Sequence, residues 1–336
     1  MYKRKKIKDN ELNSLFSIYL LLSKKRKIQI LLNFFTILVC GFAEFISLGA
    51  VIPFLGIILD PLIVWDKPYI QKISTILNIT TPDQLIFPIG ILFVLGIVFA
   101  NGIRTFNIWF TYKLSAAIGT DLSSLAFQKT LHQPLITHLN RNTSNIVILL
   151  TSNVTKSTNA FRSLLQITSA SIISLSILSL LLLVNFSVAL TIFIIFGTIY
   201  FSIGFFVKKK LMFNSSSIVI NNKKIIQLIQ EGLGAIREIL LRNNQLFFVR
   251  NHKKNDFALR NKQSESKFLI SFSKYILEPI GISIIASIAI YMAILKYEPT
   301  SVITLLGAFA LGSQKLLPSL QEVFEVGAQL KFQVQI

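Results

Sequence analysis

Two ionisable residues stand alone inside long apolar runs: Glu44 is the only charged side chain between Ile28 and Leu59, and Arg104 the only one between Leu85 and Phe110. A charge at hydrocarbon depth is costly unless it faces a helix-bundle interior or a water-filled cavity, so Glu44 reads as a packing, gating or cavity residue. Arg104 lies about 19 residues into its run, which at 1.5 Å per residue puts it near a membrane interface, where snorkelling is the favoured reading. If it faces a cavity instead, its guanidinium suits a phosphate-bearing substrate, which it would bind through two parallel hydrogen bonds.

Other reactive residue types lack the company that chemistry requires. His132, His138 and His252 have no metal-ligand spacing with a carboxylate or cysteine cluster, and Cys40 is the only cysteine, so neither a zinc site nor a disulfide is expected. Glu278, beside Pro279, reads as the i,i+4 partner of Lys274. Gly232 and Gly234 follow a helical pattern and lack a third glycine, so they read as a flexible or closely packed point. No glycine is followed by lysine, and the phosphate-cradling pattern G-x-x-x-x-G-K-[ST] is absent from these 336 residues. No cofactor is expected to bind this chain.

The residues that surround these positions belong in a bilayer. Hydrophobic residues make up 52% and charged residues only 15%, against about a quarter charged in soluble domains. The net charge of +19 would point to nucleic acid in a soluble protein, but here the basic residues flank apolar stretches, and no nucleic-acid partner is expected. The lipid bilayer is the implied partner.

Six spans can be placed, at about 28–59, 85–131, 142–184, 187–239, 246–296 and 300–330, all helical. The 45 residues from Ser163 to Val207 carry no charge, too long for one crossing and right for two, with Asn185, Phe186 and Ser187 as the turn. Thr81 and Pro82 suit a helix start, as does Pro299. The loop Asp60–Asp83 holds three acids and two lysines, whereas Lys208–Lys274 holds fourteen Lys and Arg against four Asp and Glu. The positive-inside rule therefore puts the long loops and both termini on the cytoplasmic side of the inner membrane. Residues 1–27 form a basic segment with an interfacial stripe of Leu12, Leu15, Phe16, Tyr19 and Leu20.

The two long inward stretches keep helical periodicity: Leu114, Ile118, Leu122, Leu125 and Leu131 in one, Ile218, Ile225, Leu228, Ile229 and Leu233 in the other. A helix from Thr143 to Val184 would measure about 63 Å, roughly twice the hydrocarbon thickness. Each stretch is interrupted once, at Gln133–Pro134 with the polar residues after it, and around Leu241, Arg242, Asn243 and Asn244; Pro134 must break the helical ladder and Asn142 can cap the next helix. The expectation is two helical hairpins projecting inward, each tipped by a short docking helix.

The stretches AEFISLGAVIPFL (Ala43–Leu55), LHQPLITHLNRNTS (Leu131–Ser144), EGLGAIREILL (Glu231–Leu241) and LGAFALGSQKLLPSLQEVF (Leu306–Phe324) resemble the transmembrane domain of type 1, six-helix ABC exporters. The resemblance is nearest the branch containing lipid-linked oligosaccharide flippases and related bacterial export proteins. It implies an all-α membrane domain over 28–336 and a homodimer whose helices four and five cross to the partner half. It also implies a first coupling helix from Pro134 to Arg141, including Leu135, Thr137, His138 and Asn140, and a second from Leu240 to Arg250, including Arg242, Asn243, Asn244 and Gln245. ATP and magnesium are expected in a nucleotide-binding domain supplied in cis or in trans.

The function so implied is outward movement of a lipid-linked, saccharide or peptide substrate by alternating access. The competing readings are a scaffold or non-functional remnant of a split exporter, and an ion-coupled secondary transporter, which would place several ionisable sites at mid-membrane.

Overall fold

Among the described residues twelve helical segments follow one another, and no strand occurs. The structure is a computed structural model that describes residues 19–20, 22–65, 81–139, 146–147 and 149–334. Helix α1 (Lys24–Gly49) starts where Ser23 accepts a hydrogen bond from the Arg26 amide, and it passes after Ala50 into α2 (Val51–Leu59). The break lies four residues before Pro53, which has no N–H to give the Gly49 carbonyl. A short α3 (Pro61–Trp65) comes next. Thr81 is extended but makes no side-chain cap; Pro82 opens a 3-10 turn, Pro82–Leu85, that leads into α4 (Ile86–Leu131).

After α5 (Leu135–Leu139), a π turn over Leu149–Asn153 leads into α6 (Val154–Val184). The expected helix start near Asn142 and Thr143 lies outside the described residues, as do Leu12, Leu15 and Phe16 of the interfacial stripe. Asn185 is extended and its side chain accepts from the Val188 amide at 3.1 Å, so one residue both ends α6 and caps α7 (Phe186–Gly234). Helices α8 (Ile236–Leu241), α9 (Gln245–Ile294) and α10 (Pro299–Val334) complete the chain.

Among the described residues, five helical stretches are long and apolar enough to cross a membrane: 24–59, 82–131, 149–184, 186–234 and 302–327. In α9 the apolar part, Glu278–Ile294, is shorter, and the preceding half of that helix is polar. Helices α4, α7 and α9 have 46, 49 and 50 residues. At 1.5 Å per residue they reach about 70–75 Å, some 40 Å more than the hydrocarbon layer spans.

Helix α6 is the hub, packed on α10, α1 and α4, while α7 and α9 pair as a hairpin that also packs on α10 and, through α7, on α6. The main core joins Cys40, Leu48, Ile177, Leu181, Ile192 and Phe309 from α1, α6, α7 and α10. Close approach of α1 to α6 depends on Gly41, where an added Cβ would sit 2.8 Å from Ser176 Oγ and 2.9 Å from the branched Ile172 Cγ2. Gly41→Val should therefore cost about 1–3 kcal/mol by overpacking, read as a lower melting temperature, and Ile172→Ala in the same chain should recover part of it.

The apolar stripes of the two long extensions are buried only in the parts away from the tips. Leu114 and Ile118 pack with Leu22 and Phe161, and Ile218 and Ile225 with Leu259, whereas Leu131, Ile229 and Leu233 are exposed nearer the tips. Lys210 of α7 and Lys262 of α9 both bind Glu265 at 2.8 Å. Those two hydrogen-bonded ammonium groups, Lys210 first, hold the Glu265 carboxyl down to about 2 from an ordinary 4.5. A depressed acid stabilises the fold above its unfolded value and loses that effect as pH falls towards the folded one. Glu265→Gln should thus lower hairpin stability at neutral pH, where both bridges are intact, and the deficit should shrink as pH falls from about 4.5 towards 2, measured by hydrogen exchange across α7 and α9.

Candidate functional site

The apolar run that isolates Glu44 in sequence also buries it in space, with 1% of its side chain exposed. Lys315, one turn before Pro318 on α10, donates to Glu44 Oε2 at 2.6 Å and lies 3.5 Å from Ser47 Oγ. Arg104 approaches from α4, its Nη1 3.8 Å from Glu44 Oε1, and that oxygen has no hydrogen-bond donor among the described residues. The snorkelling expected for Arg104 is therefore corrected: its guanidinium turns towards a carboxylate inside the bundle, because an uncompensated buried charge costs more than a solvated head group recovers. One carboxylate thus joins α1, α4 and α10. Lys315 and Arg104 keep 25% and 28% of their side chains exposed, so the cluster opens to one side.

A polar seam runs along the same helices. Asn33 Nδ2 donates to Thr111 Oγ1 at 3.0 Å, Asn107 Nδ2 to Thr36 Oγ1 at 2.8 Å, and Ser169 Oγ to Asn107 Oδ1 at 3.3 Å. Such bonds between helices at hydrocarbon depth contribute about 0.6 kcal/mol each, and they set rotation and register as much as strength. Further along, Arg26 grips Asp121 with Nε and Nη2 at 2.8 and 3.2 Å, a two-pronged clamp between α1 and α4.

The two tips differ in construction. Helix α4 ends at His132, whose Nδ1 lies 2.8 Å from the Gln128 carbonyl, and Pro134 leads into α5 with the Thr137 amide donating back to its carbonyl. Leu135 and Ile136 are 72% and 65% exposed, His138 lies in α5, and Asn140 and Arg141 fall outside the described residues. At the second tip the short helix is Ile236–Leu241, not Leu240–Arg250. Asn243, with φ of 52°, ends it, since the Asn244 amide bonds the Ile239 carbonyl and the Asn243 amide that of Leu240, a left-handed helix stop. Arg242, Asn243 and Asn244 form the turn, and Gln245 opens α9. Leu240, Leu241, Leu246 and Phe247 are exposed around it.

Among the described residues no His, Cys, Asp or Glu group is arranged to hold a metal. Gly234 is the last residue of α7, and Gly232 has room for a Cβ, so neither builds a phosphate cradle. The site residue that sequence reasoning missed is Lys315. Its signal was present, as the one cation between Pro299 and Pro318, yet its partner lies 271 residues away.

Long apolar helices, extensions past the bilayer and short tip helices are the anatomy of a transporter's membrane domain. Residues 30–311 match the ABC transporter transmembrane region, and the chain belongs to that family. Comparison with curated proteins finds none that matches. The chain is a multi-pass, all-α membrane protein and the membrane component of an ABC transporter.

Proposed function

We propose that this chain is the membrane-spanning part of an ATP-driven exporter that moves a lipid-linked, saccharide or peptide substrate outward by alternating access. The observation that supports it most is the length of α4, α7 and α9, whose excess over the bilayer ends in apolar tips at Leu135–Ile136 and Leu240–Phe247. Apolar side chains at the ends of stiff rods, far below the lipid, favour a groove on a partner. The partner is a nucleotide-binding domain carrying ATP and magnesium, in cis or in trans, and its closure pushes the rods together.

In the working unit two copies associate, with α7 and α9 reaching across to the second copy. Both tips and both termini face the cytoplasm of a cell bounded by the inner membrane. The Glu44, Lys315 and Arg104 cluster ties α1, α4 and α10 into one body that can move against the α7–α9 hairpin. Purified from its native membrane, the chain should bring with it a magnesium-dependent ATPase activity and a P-loop domain, and reconstituted vesicles should transport only with ATP. A preparation that is stably folded but free of any P-loop domain would reject the reading.

A further inference from the structure

A groove of about 630 Å³ runs between α9 and α10 at the level of their apolar segments. Its walls are Ile282, Ile285, Ala289 and Leu317, and its polar lining is Glu278, Ser313, Gln314 and Gln321. Glu278, the first residue of the apolar stretch of α9, and Gln314, inside that of α10, are both exposed, and an amide at the depth of Gln314 does not face lipid. Gln321 is the opposite case: only 8% of it is exposed, and it lines the groove.

A proline adds an acceptor here. Pro318, inside α10 and on the groove wall, has no N–H for the Gln314 carbonyl. The lining thus holds a carboxylate, two amides and a freed carbonyl, and no Lys, Arg or His is among its described residues. A carboxylate with apolar walls repels an anionic head group and rewards a cation that can donate several hydrogen bonds.

We propose that this groove is a substrate subsite for an amphiphile bearing a primary ammonium, with the ammonium on Glu278, its remaining donors towards Gln314 and Gln321, and its apolar part along Ile282 and Leu317. The inference rests on the exporter reading above and narrows the substrate to one with a free amine, such as a peptide or an amino-lipid.

The test needs no ATPase, so its failure would leave the exporter reading standing. The full chain in lipid nanodiscs is titrated calorimetrically with octylammonium, octyl phosphate and octyl glucoside, three probes with one tail. The ammonium should bind at least about tenfold more tightly than either rival, the equivalent of one charge-assisted contact. Glu278→Gln should abolish that preference and Glu278→Asp keep it, with melting temperatures near that of the parent. Lys274→Gln, which removes the cation one turn away in sequence, should keep it too, and Gln321→Leu should weaken ammonium binding. Preference for the glucoside or the phosphate, a preference that survives Glu278→Gln or is lost in Lys274→Gln, or no binding of any probe overturns the assignment.

Discussion

Replacing Lys315 with alanine is expected to destabilise the protein by about 3–5 kcal/mol, the range for removing one partner of a buried ion pair. Glu44 would remain 1% exposed with its best donor gone. Arg104, at 3.8 Å and not hydrogen-bonded, can take up only part of the charge, so the loss should fall towards the lower end of that range. The measurement is a thermal or denaturant melt in detergent. Removing both charges is milder: Glu44→Gln with Lys315→Met should recover most of the stability, because the net value of such a pair over neutral groups is small. A Lys315→Ala protein that melts with the parent would show that Glu44 is hydrated or neutral and that the three helices are not joined there.

The second large effect is functional and leaves the fold alone. Leu240 and Leu241 are 57% and 77% exposed at the second tip. Changing both to aspartate should alter folding by no more than about 0.5 kcal/mol, as is usual for exposed positions. On the exporter reading these side chains sit in the groove of a nucleotide-binding domain, where truncating a buried apolar anchor costs about 2 kcal/mol or more. Coupled ATPase activity and transport should therefore fall more than tenfold, while the melting temperature holds. Normal transport by the doubly substituted protein would mean that force enters elsewhere.

The spans were legible because the bilayer imposes a coarse rule: runs such as Ser163–Val207, with no charge, have few alternatives. The turn at Asn185, Pro299 as a helix start and Pro134 as a break are local chemistry and stood out for that reason. What sequence could not show was pairing. Glu44 was conspicuous, but its partner Lys315 lies in the least apolar of the long crossings, and only packing of α1 on α10 brings them together. The same is true of Asn33 with Thr111 and of Asn107 with Thr36, whose amides look unremarkable in isolation and matter because they join α1 to α4, with Ser169 of α6 added at Asn107.

The second tip shows a subtler limit. The polar triplet Arg242–Asn244 marked the right place, but the sequence allowed the short helix to lie on either side of it. A backbone angle decides: Asn243 at φ 52° closes the helix before it, so the short tip helix is Ile236–Leu241, with the exposed Leu246 and Phe247 across the turn. Asparagine tolerates that conformation better than other non-glycine residues, which is the physical reason the stop falls there.

These elements make a division of labour. The cluster at Glu44 and the clamp of Arg26 on Asp121 stiffen α1, α4 and α10, while the α7–α9 hairpin is held by Ile218, Ile225, Leu259 and the bridged Glu265. On the exporter reading, a push at a tip about 40 Å beyond the bilayer would be carried along these stiffened helices to the cavity.

The central claim is that α7 crosses the membrane and continues as a rigid rod well into the cytoplasm. Cys40 is fully buried, so single cysteines introduced along α7 can be followed by a membrane-impermeant maleimide with little background. Phe193→Cys should resist labelling from both sides, and Ile229→Cys should label from the cytoplasmic side alone with a spin label at that site remaining ordered and helical. Labelling of Ile229→Cys from the outside, shielding of it by lipid like position 193, or a disordered spin-label spectrum there would contradict the account.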